Sequence, residues 1–102
     1  MIEVTILLPA DDNDGKPFTP HHDDEYFLVL AELFGGFSLL PNLVKGGWID
    51  KGVFYPDRNR QVIVSLDSIT KGNLIREAVD YAKVHYNQLA IYISYYGNGE
   101  KL

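Results

Sequence analysis

Two short stretches hold most of the side chains that could do chemistry. The first is an acidic loop: Asp11, Asp12 and Asp14 stand just before Gly15, and His21, His22, Asp23 and Asp24 follow shortly after. Closely spaced carboxylates before a glycine are what a calcium loop supplies, because a hard cation takes oxygen ligands from a sharply turned backbone. An EF-hand alignment fails, however. With Gly15 in the sixth position, the first ligand position falls on Ala10 and the twelfth on His21. What remains is a looser metal site drawing on Asp12, Asp14, His21, His22 and Asp24. Adjacent histidines diverge on most backbones, so His21 and His22 seldom hold one ion together. The plainer reading is an Asx-rich turn running into a helix N-terminus, both satisfied by local hydrogen bonds.

The second stretch is Lys45-Gly46-Gly47-Trp48, where glycines allow close backbone approach and an indole could stack on a ring. It is not a phosphate loop, which needs Gly-x-x-x-x-Gly-Lys-Ser/Thr. His85, with Tyr81 one turn before it and Asp80 and Glu77 nearby, has the makings of a general base. No nucleophile stands at a telling distance from it, and a histidine beside an apolar helix stripe is usually a boundary residue. Asp57, Arg58 and Arg60 form a charged segment whose exposed pairs contribute little. A ligand-binding cleft built on Trp48, Phe54, His85 and Tyr92 is the arrangement these residues allow. No set among them is a recognisable catalytic apparatus.

Composition narrows the classes further. A chain of 102 residues is one domain, 1–102, and is long enough for a core without staples. Its 46% hydrophobic and 23% charged residues are ordinary globular values. Cysteine is absent, which removes disulfides, thiolate nucleophiles and cysteine-ligated metals. The net charge of −5, with nine scattered Lys and Arg, argues against nucleic acid, whose phosphates want a basic surface. No secretory signal opens the sequence, and no apolar run approaches the ~20 residues of a membrane span. The default is a cytoplasmic protein with no membrane partner and no cofactor.

The elements that must position these side chains read as follows. Residues 2–8 are a β-branched strand that stops at Pro9. Residues 9–22 form a loop well above the usual length of about 4–6, hence either functional or tied down by its own side chains. Asp23 or Asp24 caps a helix to about Phe34, with Phe27, Leu30, Ala31 and Phe34 as its apolar face, and Gly35-Gly36 ends it. Residues 37–43 give a strand interrupted at Pro41. Residues 47–50 and 53–55 flank Lys51-Gly52 as a hairpin, with Gly52 at positive φ. Pro56 to Arg60 is a polar turn, and 61–66 a strand. Asp67 or Ser68 caps a helix from Thr70 to Asn87 with a stripe of Ile75, Ala78, Val79, Ala82 and Tyr86. A last strand spans 89–96, and Gly97-Asn98-Gly99 releases the tail.

The order β-α-β-(β-hairpin)-β-α-β suits an α+β, ferredoxin-like domain: one mostly antiparallel sheet with two helices on one face. The other face must be covered or stay wet. Tyr92, Tyr95, Tyr96 and Trp48 suit such a half-buried interface. Three motifs together, the Leu7-Leu8-Pro9-x-x-Asp12-Asn13-x-Gly15 loop, the Phe34-Gly35-Gly36-Phe37 break and the Gly46-x-Trp48…Asp50-x-Gly52 hairpin, resemble a family of small bacterial α+β proteins. The resemblance covers most of residues 4–66. It implies a compact α+β fold and carries over no activity and no catalytic residue.

The function these readings favour is a small non-enzymatic binding domain, acting as a homodimer or with a protein partner. The alternatives are a small enzyme or metabolite-binding domain with an apolar cleft between helix and sheet, and a metal-dependent function of the acidic loop 11–24.

Overall fold

The computed structural model describes residues 2–67, 72–95 and 98–102, with 98–101 as backbone alone. Strand β1 (Ile2–Pro9) leads through the acidic loop into α1 (Pro20–Phe34). Then come β2 (Ser38–Leu39), β3 (Val44–Asp50), β4 (Val53–Leu66), α2 (Asn73–His85), β5 (Tyr92–Tyr95) and β6 (Asn98–Lys101). All pairings are antiparallel, and the path across the sheet runs β2-β4-β1-β5-β6, with β3 attached to β4. Strands β4 and β5 flank β1 and run parallel to each other, as the expected ferredoxin-like α+β arrangement requires.

Side chains alternate across a strand, so one face of each strand faces the helices. On that face Val4, Ile6 and Leu8 of β1, Val62, Val64 and Leu66 of β4, and Ile93 of β5 are buried. Tyr26, Phe27 and Leu30 of α1 and Ile75, Ala78, Val79 and Ala82 of α2 close the core over them. Tyr86, just past α2, completes the expected stripe. Among the described residues, no helix is long and apolar enough to cross a membrane.

Helix α1 starts earlier than the acidic residues suggest. Thr19 is its N-cap: the Oγ accepts a hydrogen bond from the His22 N–H at 3.1 Å, and Pro20 takes the first helical position. Asp23 therefore lies inside the first turn, and the buried stripe shifts back to Asp23, Tyr26, Phe27 and Leu30. Ala31 and Phe34 are only half-buried. Gly35 ends the helix at φ 82°, its N–H bonded to the Ala31 carbonyl. Helix α2 begins at Asn73 rather than Thr70, and Asp67 lies several residues before it. Ser68, Thr70 and Tyr96 fall outside the described residues. Asn87, at φ 54°, stops α2 with the Gln88 N–H returning to the Lys83 carbonyl.

One expected break is continuous strand. Pro56 to Arg60 is no turn, because β4 runs straight through it and pairs with β3 from Val44↔Asn59 to Asp50↔Val53. Asn98 and Gly99 do not release the tail, since β6 pairs back on β5 from Tyr95↔Asn98 to Tyr92↔Lys101, and Gly97 lies outside the described residues. The stretch expected as a strand over 37–43 is reduced to the two residues of β2. The β3–β4 link is a two-residue turn with Lys51 at φ 51° and Gly52 at φ 79°, the pair of positive angles that matches strand twist.

The capping assignment is directly testable. Thr19→Ala should destabilise the domain by about 1 kcal/mol. Asp24→Asn, at an exposed position, should stay within about 0.5 kcal/mol. Urea denaturation midpoints of the two variants read the difference, and a reversed order would return the cap to the aspartates.

Candidate functional site

The acidic loop is held by its own atoms. Asp12 Oδ1 accepts from the N–H groups of Asp14 at 2.9 Å and Lys16 at 2.8 Å, an Asx turn closed by Gly15 at φ 83°. Asp11 takes a two-pronged contact from Arg58, with Nε at 2.9 Å from Oδ2, and this hydrogen bond holds the Asp11 carboxyl below the usual carboxylate range. Asn13 ties the loop to the end of α2, donating to the Asn87 carbonyl and accepting from Gln88. The loop's length thus goes into self-fastening.

The metal candidates separate in space. His21 is exposed and pairs with Glu25 one turn on, at 3.1 Å. Asp14 and Asp24 are exposed, and Asp12 is committed to the turn. His22 turns inward instead. Its ring stacks between Phe18 and His85, with centroids at 4.7 and 3.9 Å. His22 Nε2 lies 2.8 Å from the His85 carbonyl, and His85 Nε2 lies 2.6 Å from the His22 carbonyl. A carbonyl only accepts, so both Nε2 atoms carry hydrogen and donate. This reciprocal clasp joins the start of α1 to the end of α2, and it occupies the nitrogen that a metal or a proton transfer at Nε2 would need. Among the described residues no three His, Asp or Glu side chains converge as a metal set.

Beneath the clasp lies a polar network that the sequence did not disclose. Asp23 is 1% exposed, accepts from the Tyr86 hydroxyl at 2.7 Å, and lies 2.7 Å from Arg60 Nη1. The Arg60 contact is an ion pair without an aligned N–H, since Asp23 Oδ2 has no hydrogen-bond partner by direction. Tyr26 donates to the Ala78 carbonyl at 2.9 Å. Burial pushes both tyrosine hydroxyls well above their ordinary range, and for Tyr86 the neighbouring Asp23 carboxylate adds to it. Such phenols are kept neutral as donors. The signal that could have found the network is an aspartate at the head of an apolar stripe.

The four cleft candidates lie in three places. His85 is in the clasp. Tyr92 stands half-exposed on the sheet face away from the helices, beside Ser94, Thr5 and Ile63. Trp48 and Phe54 sit on an arm formed by β3 and the first half of β4, on opposite faces of it. Trp48 stacks on Tyr55 across the pair at 4.6 Å. The Phe54 ring lies over Gly47, where a Cβ would come within 2.4 Å of it. Trp48, Ile49, Val53, Phe54 and Tyr55 remain between 42% and 72% exposed. By alternation along β4, Trp48 and Tyr55 share the open side of the sheet with Tyr92. Separately, a half-open cavity of about 270 Å³ lies between α2 and the sheet. Ile2, Val4, Leu66, Ile75 and Ile93 line it, with Arg76 at the rim.

The buried phenols give a pH dependence with a definite sign. Their folded pKa values are raised, so their contribution is complete below the ordinary tyrosine value of about 10 and is lost as pH climbs above it. Melting temperature should hold from neutrality to about pH 9 and fall beyond pH 10. Tyr86→Phe should lower stability at pH 7 by about 2 kcal/mol and make the alkaline fall shallower. An unchanged alkaline limb in that variant would remove Tyr86 as its cause.

No protein-family model matches the sequence, and no curated protein matches it. Solved structures do. The chain is similar to a phage SAM lyase in complex with S-methyl-5'-thioadenosine, with a TM-score of 0.71 at 10% identity over 99% of this chain and 88% of that one. It is also similar to a phage SAM lyase in the apo state, with a TM-score of 0.69 at 11% identity over 99% and 87%. At that identity the likeness establishes a shared α+β fold.

Proposed function

We propose that this chain is a small non-enzymatic interaction domain that works as an assembly of its own copies, through the aromatic arm and the open side of the sheet. The observation that carries the reading is the arm. A two-stranded ribbon is marginal in water on its own, yet this one keeps five large apolar side chains exposed on both faces. Trp48 and Tyr55 continue onto the sheet side where Tyr92, Leu7 and Ile63 lie, so one surface carries the apolar residues that the helices leave uncovered. Aromatic anchors of this kind dominate interface energetics.

Sedimentation velocity should give a concentration-dependent dimer or larger closed assembly. The emission of Trp48, the only tryptophan in the chain, should shift to the blue as protein concentration rises. Trp48→Ser should fold normally and weaken assembly by roughly 30-fold or more, the effect of losing a central aromatic anchor. A wild-type chain that stays monomeric at about 100 μM, with an unshifted tryptophan spectrum, would sink the proposal; interfaces of standard size hold far below that concentration.

A second reading has its own support. The fold is that of a lyase observed with a nucleoside thioether, and the cavity between α2 and the sheet is an apolar cleft with a cationic rim. On this reading the cleft takes a small nucleoside-type ligand, with Ile75 and Ile93 as its walls and Arg76 at its mouth. Isothermal calorimetry with S-methyl-5'-thioadenosine decides it. Saturable binding weakened by Arg76→Ala, an exposed position on the cavity, supports the cleft, and no heat at millimolar ligand ends this reading.

A further inference from the structure

Resting on the self-association reading above, we infer how the arms meet: β3 pairs edge to edge with β3 of a second copy, antiparallel, about a twofold axis through Gly47. The two arms then form one four-stranded ribbon.

The free edges of the sheet are unequal. β2 is two residues long and β6 four. On the arm, the β4 side holds Pro56, which has no N–H to donate. The outer edge of β3 is different. It runs seven residues, Val44–Asp50, pairs among the described residues only with β4, and contains neither proline nor bulge. Natural sheets blunt edges of this kind, because unpaired N–H and C=O groups are a template for another strand. This edge is seven residues long, and its large side chains are Val44, Trp48 and Ile49, with charges at Lys45 and Asp50.

Symmetry then selects the register. A closed twofold between identical antiparallel strands is perpendicular to the sheet, so facing residues lie equal distances either side of the axis. With the axis at Gly47, every residue of β3 finds a partner. Trp48 faces Gly46 of the second copy, Lys45 faces Ile49, and Val44 faces Asp50. Bulk meets bare backbone at the centre. An axis at Trp48 would set two indoles directly opposite, and an axis at Gly46 would leave Ile49 and Asp50 unpaired.

One polar match supports the same register. Asp57 stands over Gly46, since a Cβ on that glycine would lie 2.7 Å from its Oδ1. The pair Gly46↔Asp57 shares a face with Trp48. The indole N–H, which can only donate, is thereby brought beside a carboxylate of the other copy.

The occupant is a second copy rather than a foreign strand because the edge complements itself: about one twofold axis each Trp48 meets the bare backbone of Gly46 and the Asp57 carboxylate beside it, twice over.

The absence of native cysteine makes the register readable. In Lys45→Cys/Ile49→Cys, facing residues of two copies would lie about 5 Å apart, within disulfide range. Either single variant leaves its thiols about 13 Å apart across the axis, as they are also within one chain of the double variant. Mild oxidation should convert most of the double variant to a covalent dimer and leave both single variants uncrosslinked. A wild type that sediments as a dimer with a double variant that does not crosslink would overturn the edge register alone. A monomeric wild type would overturn the self-association reading and this inference together.

Discussion

Fourteen residues of β4 run without interruption, and three other strands depend on them along different stretches. From Asn59 to Leu66 the strand pairs with the whole of β1 and supplies Val62, Val64 and Leu66 to the core. From Val53 to Asn59 the same strand leaves the core and holds β3 instead. Arg60 marks the handover, reaching from the helix-facing side to the buried Asp23. The direction of the arm is therefore not free. It is the continuation of a central strand fixed by its pairing with all of β1 and by three buried side chains, which lets a two-stranded ribbon keep a defined course where it has no third layer.

The periodic elements were legible because burial in them follows sequence period. The α2 stripe appears residue for residue, and β1 and the second half of β4 bury alternate positions. The misread places have physical reasons. Pro56-Asp57-Arg58-Asn59-Arg60 has turn composition, but proline is tolerated at a strand edge and Arg58 is engaged by Asp11, so the ladder continues through it. Thr19 is hard to read as the cap because Asp23 and Asp24, equally good capping residues, stand a turn further on. Their carboxylates serve elsewhere, Asp23 in the network and Asp24 in solvent. Candidate residues scattered for a related reason: Trp48, His85 and Tyr92 are each amphipathic, and amphipathic residues collect at every boundary of a fold, not at one site.

The seam between the helices shows how polar groups are accommodated in the interior. Asp23, Arg60, Tyr86, Tyr26 and the two inward histidines find partners in one another or in helix-end carbonyls, apart from one Asp23 oxygen held by charge alone. A buried network of this kind adds little net stability over an apolar core, but leaving any member unpaired is costly. It thus specifies how α1 meets α2 and which end of β4 lies beneath them. That specification also fastens the acidic loop, through Asn13 at the end of α2 and Asp11 on Arg58.

The arm stands in contrast to this thoroughness. Among the described residues, the buried polar side chains of the domain find partners apart from one Asp23 oxygen. On the arm both faces carry exposed apolar side chains, one edge is open, and glycines at 46 and 47 leave the backbone bare where Asp57 and Phe54 lie over it. A fold shared with a lyase over almost the full length does not account for that contrast, because a fold accommodates many activities and function resides in what is placed on it. An open strand edge is an aggregation hazard unless something closes it. The proposed pairing of β3 with β3 would close that edge with no additional sequence, since one strand supplies both halves of the contact.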